Sequence, residues 1–226
     1  MKTGNHPKLV AIFGGSGAGK TWLARRLQHE FSPHAARVAL DDFYCDLGYL
    51  PSVSRAKVNF DHPNAIDWPA FEGVLRDCRD GRVTRMPQYD FATHTRRPAE
   101  NVLPPSPLIL VEGLWLLWLP QVGELFDLKI FLDCPEELRL ERRLCRDVVE
   151  RGRTPDSVRH QFSSTVAPMH EQFVAPQAKW ADVILSQPPA ELDLHELNRT
   201  IQLIMERPCV SAMMTPSARE LCLLAT

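Results

Sequence analysis

The residues best suited to chemistry are the eight from Gly14 to Thr21, which match the pattern G-x-x-x-x-G-K-T. In such a loop, glycines let successive backbone N–H groups curl around an anion, and the following helix adds its partial positive charge. The pattern predicts that Lys20 reaches the β- and γ-phosphates of a nucleotide and that the Thr21 hydroxyl ligates Mg²⁺. All eight are candidates for nucleotide binding: Gly14, Gly15, Ser16, Gly17, Ala18, Gly19, Lys20 and Thr21.

This loop stands where a predicted strand turns into a predicted helix. The run 9–13 is short and apolar, as in a buried strand, and Leu23, Leu27 and Phe31 then recur at helical spacing. A chance glycine-rich turn is the alternative, and the complete motif in this context disfavours it. The sequence therefore predicts a phosphate-binding loop on an α/β scaffold.

Length and charge narrow the class of protein. A chain of 226 residues is long enough for one large α/β domain, and its formal net charge of −2 gives no reason to expect nucleic acid or a membrane surface as a partner. The longest apolar run, 107–120, is too short to span a membrane. The six cysteines form no C-x-x-C pair and residues 1–8 do not resemble a signal peptide. We therefore expect a cytoplasmic protein with unpaired cysteines.

Acidic residues follow two further predicted strands. Residues 38–40 lead into Asp41 and Asp42, and the buried strand 108–111 leads into Glu112. Ligands bind at the carboxyl ends of strands in α/β proteins. Glu112 resembles a Walker B carboxylate, which holds Mg²⁺ directly or through water. Each acid could also be an ordinary turn residue, and we expect only one of the adjacent pair to be functional.

Aromatic residues and a histidine occur together between these strands. In the segment 86–98, Tyr89 and Phe91 alternate as on one face of a strand, and His94 follows closely. Such a group could stack on a planar base and hydrogen-bond to it. A half-buried hairpin without a ligand is the commoner explanation on sequence physics alone.

The remaining periodicity predicts the other elements. They are a helix capped by Asp67 with Phe71, Val74, Leu75 and Cys78 buried, a helix over 114–126, a strand over 129–133, a helix after Pro135, a helix capped by Thr154, a last strand at the end of the run 179–185 and a helix over 192–205. Residues 207–226 have no clear pattern and are expected to form a C-terminal tail of unknown role.

The helix after Pro135 is rich in arginine. It carries Arg139, Arg142, Arg143 and Arg146, with Arg151 and Arg153 beyond them. Positions 139, 143 and 146 share one face, and Leu138, Cys145 and Val148 are expected to fill another. A solvated basic face is the alternative. Because four nearby arginines repel one another, a polyanion is a plausible partner, and guanidinium forks suit triphosphate oxygens. Gly152 would let this segment hinge as a lid.

Together these residues resemble the uridine–cytidine kinases, within the wider uridine kinase and phosphoribulokinase group. The resemblance covers about residues 8–186. Besides the loop, it rests on Asp41–Tyr44, Asn59–Pro63, Tyr89–Phe91 with His94 and Arg96, Val111–Gly113, Arg142–Asp147, Glu150–Arg153 and Lys179–Asp182. The motifs at 59–63 and 89–96 are the specific ones, because other phosphate-loop kinases share the loop without them.

The resemblance implies a P-loop kinase α/β fold with a five-stranded parallel core sheet and helices on both faces. It implies one domain over residues 1–206, with a small β-hairpin over the nucleoside at about 83–98 and an arginine-bearing lid at about 150–156. It also implies transfer of the γ-phosphoryl of ATP or GTP, with Mg²⁺, to the 5′-hydroxyl of uridine or cytidine in pyrimidine salvage. A homo-oligomer is a further expectation, since relatives are often tetrameric.

Roles of individual residues follow from the resemblance by position. Asp41 is expected to be the base that takes the 5′-hydroxyl proton, and Asp61 with Arg143 to clamp the ribose hydroxyls. The pyrimidine pocket is expected to comprise Tyr89, Phe91 and His94. The remaining assignments are Tyr44, Arg153 and Gln161 on the nucleoside side, Arg146 and Arg151 as catalytic groups on the phosphates, and Thr21, Glu112 and Asp41 in the metal shell.

One departure and two alternatives stay open. Asp42 stands where relatives often carry a small polar residue, so its charge could raise the pKa of Asp41 or join the metal shell. A related kinase could act on another ribosyl or sugar-phosphate acceptor. A nucleotide-dependent switch without an acceptor is a third reading, although the nearest string to the N-K-x-D motif, at 64–67, lacks the lysine.

Overall fold

The computed structural model describes residues 6–55, 58–97 and 99–207. Its strands are β1 (Lys8–Gly14), β2 (Ala35–Ala39), β3 (Thr84–Met86), β4 (Tyr89–Asp90), β5 (Thr95–Arg96), β6 (Asn101–Leu103), β7 (Leu108–Gly113), β8 (Leu128–Asp133) and β9 (Val183–Ser186). Its α-helices are α1 (Lys20–Glu30), α2 (Ser52–Arg55), α3 (Trp68–Arg79), α4 (Pro120–Gly123), α5 (Glu136–Arg151), α6 (Pro155–Gln161), α7 (Ala167–Met169) and α8 (Glu191–Glu206).

Five parallel strands form the central sheet in the order β2-β7-β1-β8-β9. Along β1, Leu9, Ala11 and Phe13 enter one apolar core, while Val10 and Ile12 enter a second core on the opposite face. A parallel sheet covered on both faces needs such strands, apolar at every position. The expected P-loop kinase fold, with helices on both faces of this sheet, is confirmed.

The helix capped by Asp67 is confirmed as α3. The Asp67 carboxylate accepts a hydrogen bond from the Ala70 backbone N–H at 3.1 Å, which satisfies one of the free donors at the helix start. The buried side chains are the four that were predicted from periodicity: Phe71, Val74, Leu75 and Cys78. The helix after Pro135, the helix capped by Thr154 and the final helix are confirmed as α5, α6 and α8.

The predicted helix over 114–126 is wrong, because only the four residues of α4 are helical there. Trp115, Leu116 and Leu117 are all buried, and three successive residues cannot share one face of a helix. Gln177 replaces the missing helical hydrogen bonds. Its side-chain oxygen accepts from the Leu117 N–H at 2.8 Å, and its amide donates to the Leu114 carbonyl at 3.0 Å.

The predicted packing of α5 is also wrong. The buried positions are Arg139, Arg143 and Asp147, whereas Leu138 and Val148 are only half-buried and Cys145 is exposed. The charged stripe faces the protein because its hydrogen bonds have acceptors there: Arg139 donates to the Cys134 carbonyl, and Arg143 donates to the Ser16 hydroxyl of the phosphate loop. A solvated basic face is therefore excluded.

Smaller shifts in boundaries have local causes. The strand expected at 38–40 runs from Ala35 to Ala39, and Leu40 begins a 3₁₀ turn (Leu40–Phe43) that carries Asp41 and Asp42. The last strand begins at Val183, since residues 179–180 complete a 3₁₀ helix (Ala175–Trp180). Between α6 and that helix, π-helical segments at 162–166 and 170–174 flank α7.

Three further expectations concern the C-terminal tail, the cysteines and a membrane-spanning segment, and the described residues cover them only in part. The tail 208–226 lies outside them. Four cysteines lie within them and are unpaired: Cys45, Cys78, Cys134 and Cys145. No helix in the described part of the chain has the length and apolar character needed to cross a membrane.

Candidate active site

The phosphate loop connects β1 to α1 and packs against the start of α5. Gly19 is the N-cap of α1 with a φ of 95°, and Gly17 has a φ of 86°, both in the left-handed region that favours glycine. A Cβ at Gly17 would lie 2.5 Å from the Arg139 carbonyl oxygen. The Lys20 ammonium donates to the Gly15 carbonyl at 2.9 Å, which places it against the loop.

Charges converge at the mouth of this loop. Burial lowers the pKa of Lys20 to about 8, although the nearby carboxylates of Asp41 and Glu112 oppose that shift. Burial raises the pKa of Asp41, and the Lys20 charge opposes it. Arg146 acts on the pKa of both groups. The fold thus brings four of the predicted catalytic and metal-binding residues into one electrostatic group.

Thr21 and Glu112 form the predicted metal-binding corner. The Thr21 hydroxyl donates to one oxygen of the Glu112 carboxylate at 2.6 Å, and the Arg37 guanidinium donates to the other at 2.5 Å. Mg²⁺ is commonly held by one or two protein oxygens with phosphate oxygens and water, so a hydroxyl and a carboxylate beside a phosphate loop fit this ion. Arg37 was not predicted from the sequence, because only the pairing of β2 with β7 places it near Glu112.

Asp42 links this corner to the hairpin, since both the Tyr89 backbone and the charges of Arg37 and Glu112 act on its carboxylate. Burial raises its pKa, and a hydrogen bond from the Tyr89 backbone opposes that rise. Its extra carboxylate, which stood out in the sequence, therefore joins the end of β2 to β4. The same carboxylate raises the pKa of Asp41, so one of the two sequence-based expectations for Asp42 agrees with the electrostatics.

Two short antiparallel pairs make up the predicted hairpin. β3 pairs with β6 and β4 pairs with β5, so the pairing extends to Leu103, beyond the expected end at about 98. Arg96 anchors the inner pair, because its guanidinium donates to the Tyr44 and Phe43 carbonyls and to the Asp67 carboxylate. The hairpin is thereby tied to the strand-end segment that carries Asp41.

The aromatic rings gather around Tyr44. Its ring centroid lies 5.3 Å from that of Tyr89, 6.3 Å from that of Phe91 and 5.6 Å from that of Phe60. Tyr44 and Tyr89 are buried, whereas the Phe91 ring at the hairpin tip is 47% exposed. Within the described residues, the buried Tyr89 hydroxyl has no hydrogen-bond partner. We call these rings, with His94, the ring cluster.

His94 joins the ring cluster through Phe60 rather than through the tyrosines. Its imidazole stacks on the Phe60 ring with 4.3 Å between centroids and 14° between planes. Its φ of 56° is the only positive value at a non-glycine residue in the described part of the chain, and its buried Nδ1 has no partner there. Burial lowers the pKa of His94, and the Arg55 charge adds to that effect. A strained residue with a free polar atom is a common feature of ligand sites.

The predicted ribose clamp faces the phosphate loop. Burial raises the pKa of Asp61, while the charges of Arg143 and Arg153 oppose the rise. The Arg143 guanidinium donates to the Ser16 hydroxyl at 2.6 Å and to the Gln161 side chain at 3.4 Å, and Arg153 also hydrogen-bonds to Gln161. A small cavity beside Asp61 is lined by Ser16, Trp115, Met169 and His170, among others.

Asp147 holds the arginines together. Its carboxylate is fully buried, with ion pairs to Arg146 at 2.8 Å, Arg151 at 3.4 Å, Arg143 at 3.6 Å and Arg153 at 3.9 Å. Burial alone would raise its pKa, but the hydrogen bond and charge of Arg146, with two neighbouring arginines, hold that pKa below its usual value. The i, i+4 spacing to Arg143 and Arg151 is the sequence signal that could have identified it.

The residues of this site lie within a segment that matches a known protein family. The model of the phosphoribulokinase / uridine kinase family matches residues 9–192. The chain belongs to this family. That match includes both the phosphate loop and the arginine-rich helix, so the resemblance on which the expectations rested is confirmed.

Relatives of this family member are similar over most of their length. A uridine kinase from Halobacterium salinarum is 37% identical over 193 residues, which are 85% of this chain and 86% of the relative. A uridine kinase from Chloroflexus aurantiacus is 41% identical over 180 residues, 79% of this chain and 86% of the relative. The structure of phosphoribulokinase from Rhodobacter spheroides has a TM-score of 0.61 at 17% identity, and covers 80% of this chain and 70% of that protein.

As a phosphoribulokinase / uridine kinase family member, the chain is an ATP-dependent phosphotransferase. The alternative of a nucleotide switch without an acceptor is thereby set aside. The family match implies ATP with Mg²⁺ as the donor, and GTP as the donor gains no support.

Proposed function

We propose that this chain transfers the γ-phosphoryl of ATP to the 5′-hydroxyl of uridine or cytidine, giving UMP or CMP in pyrimidine salvage. The observation that carries the proposal is the ring cluster, in which buried aromatic faces adjoin a strained His94 whose Nδ1 is free to accept a hydrogen bond. The uridine kinases at 37–41% identity support it.

In this proposal, the nucleoside lies between the hairpin and α5. The pyrimidine stacks against Tyr89 and Phe91, and His94 accepts or donates at the 4-position of the ring. Asp61 and Arg143 bind the ribose hydroxyls, with Gln161 supporting Arg143 through the 3.4 Å hydrogen bond. A deoxyribose would leave these polar groups without a partner, at a cost of roughly 1–3 kcal/mol.

Asp41 is the proposed base. It accepts the proton of the 5′-hydroxyl as that oxygen bonds to the γ-phosphorus and the bond from the γ-phosphorus to the bridging oxygen breaks, leaving ADP. The raised pKa that burial gives Asp41 makes its carboxylate a stronger base than an exposed aspartate.

Positive charge on the transferred group comes from this chain's own side chains. Phosphoryl transfer proceeds through a loose transition state, so positioning and charge neutralisation do most of the work. We assign the positioning of the phosphates and the neutralisation of their charge to Lys20, Arg146 and Arg151. Mg²⁺, held by Thr21 and Glu112, would neutralise charge on the β- and γ-phosphates when bound.

The proposed domain comprises residues 1–206, with the lid at about 150–156. Gly152 is the C-cap of α5 with a φ of 63°, and no atom would lie within 4 Å of a Cβ there, so the lid has room to turn about this residue. Closure would bring Arg151 over the phosphates and Arg153 over the nucleoside, and would exclude water.

The test is ADP release with Mg²⁺-ATP against uridine, cytidine, deoxycytidine, adenosine, nicotinamide riboside and ribulose 5-phosphate. We expect turnover with uridine and cytidine, weaker turnover with deoxycytidine, and none with the others. Turnover of a different acceptor, with silence for both pyrimidine ribonucleosides, would overturn the proposal and support a related kinase with another ribosyl or sugar-phosphate substrate. Acceptor-independent hydrolysis alone would also contradict it.

A further inference from the structure

Asp147 stands between the two halves of the site. Its first carboxylate oxygen faces Arg146 and Arg151, the arginines proposed for the phosphates, and its second faces Arg143 and Arg153, on the nucleoside side. The donor-side pairs are the closer ones, at 2.8 and 3.4 Å against 3.6 and 3.9 Å. One buried carboxylate is therefore shared, unequally, between donor and acceptor arginines.

The main chain of the same residue fixes the start of the lid. The Asp147 carbonyl accepts hydrogen bonds from the Gly152 and Arg153 backbone N–H groups. Arg151 and Arg153 thus depend on Asp147 twice, through the turn that ends α5 and through their ion pairs. No other acidic residue in the described part of the chain forms ion pairs with four arginines.

Binding of anions to one pair of arginines must change how Asp147 interacts with the other pair. When phosphate oxygens bind Arg146 and Arg151, those guanidinium groups neutralise less of the negative charge on the first carboxylate oxygen of Asp147. Its negative charge is then balanced mainly by Arg143 and Arg153, whose hold on the second oxygen tightens. Because Arg143 also contacts Ser16 of the phosphate loop, its guanidinium becomes fixed in the position that the ribose requires.

We infer that Asp147 is a positioning residue that couples the donor site to the acceptor site, so that bound nucleotide strengthens nucleoside binding. By linkage, the nucleoside strengthens nucleotide binding by the same factor. The inference rests on the proposed function, since the acceptor-side arginines are taken to bind the nucleoside. Asp147 itself contacts neither substrate.

The experiment measures the dissociation constant of uridine by calorimetry, with and without a non-hydrolysable ATP analogue and Mg²⁺. The ratio of the two constants is the coupling factor, which does not depend on what fraction of the protein is folded. We expect a factor of about 10 for the wild type, within the usual range for coupled sites. Asp147→Asn, which removes the charge and keeps the shape, should reduce it to below about 2.

Asp147→Glu keeps the charge but adds a methylene group at a fully buried position, so it should displace the arginines and also lose most of the coupling. It serves as the test if Asp147→Asn does not fold. The matched control is Asp80→Asn, which removes an exposed aspartate paired with Arg82 at the end of α3, outside the site, and should leave the factor unchanged. In a merely structural role, Asp147 variants would melt at lower temperature while the coupling factor stayed at the wild-type value.

Failure of the inference and failure of the proposed function are distinct. If the wild type neither binds nor phosphorylates uridine and cytidine, the proposed function fails. If the wild type turns over uridine but has a coupling factor of 1, or if either Asp147 variant keeps the wild-type factor, the inference is overturned and the proposed function stands.

Discussion

On the nucleotide side of the site, the phosphate loop follows a strand that is buried along almost its whole length, and it packs so closely on α5 that a Cβ at Gly15 would lie 2.8 Å from the Arg139 side chain. On the acceptor side, the ring cluster stands on β4 and β5, strands of two residues each, and Phe91 at its tip is half exposed. The nucleotide side is therefore part of the packed core, whereas the acceptor side is a small hairpin attached to that core.

The difference lies in what positions each half. The loop is held by close packing, in which even a small added group would collide with Arg139. The rings are held by a few anchors, chiefly Arg96 on the Tyr44 carbonyl and Asp42 on the Tyr89 backbone. We therefore expect changes in the donor half to affect turnover of every acceptor, and changes in the acceptor half to affect selectivity.

The largest effect is expected from Asp41→Asn, at the junction of the two halves. The amide cannot accept the 5′-hydroxyl proton, so kcat for uridine should fall about 10³-fold. Binding of an ATP analogue, measured by calorimetry, should change less than about twofold, since the loop itself is intact. Near-normal turnover in this variant would remove Asp41 as the base.

His94→Ala tests the acceptor half alone. Loss of the imidazole should raise the KM for uridine by about 10- to 100-fold, the equivalent of one lost buried hydrogen bond, and leave the KM for ATP unchanged. The control is His34→Ala, which truncates an exposed histidine away from the site. Equal increases in both KM values would show that His94 does not select the base.

Arg37→Met tests whether ion pairs inside the fold are what makes the donor half rigid. The variant leaves one oxygen of the buried Glu112 carboxylate without its partner, so the free energy of unfolding should fall by about 1–3 kcal/mol in urea denaturation. Arg26→Met breaks the exposed pair with Glu191 and should cost only about 0–1 kcal/mol. Equal losses in the two variants would contradict the comparison.

The smallest effect is expected in the pH dependence of uridine binding. Burial lowers the pKa of His94 from its ordinary value of 6.5, so the neutral imidazole persists to lower pH than that of an exposed histidine. The KM for uridine should therefore be constant from about pH 8 down to about pH 6.5 and rise only at more acidic pH. In His94→Ala this acidic rise should disappear, and its persistence there would assign it to another group.

Much of the donor half could be predicted from the sequence. The loop, its strand and its helix are contiguous, so local spacing was enough to identify Lys20 and Thr21, and the end of a buried strand was enough to identify Glu112. The helix caps at Asp67 and Thr154 were likewise local, since each accepts a hydrogen bond from a residue three positions ahead.

The errors arose where long-range contacts replaced local rules. Residues 114–126 were apolar enough for a helix, but Gln177 satisfies their backbone from another element. On α5, apolar residues were taken to mark the buried face, whereas Arg139 and Arg143 are buried because the Cys134 carbonyl and Ser16 of the phosphate loop accept their hydrogen bonds.

By itself, the sequence determined the fold class, the family and the phosphate chemistry, because those depend on short motifs of adjacent residues and on the order of the motifs along the chain. Only the tertiary structure decided which residues act on one another across the site. Strand register brings Arg37 to Glu112, the stack of Phe60 on His94 joins two distant turns, and the burial of Asp147 makes one carboxylate serve both halves. Ion pairing and ring stacking act over a few ångströms of space, and sequence spacing does not measure that distance.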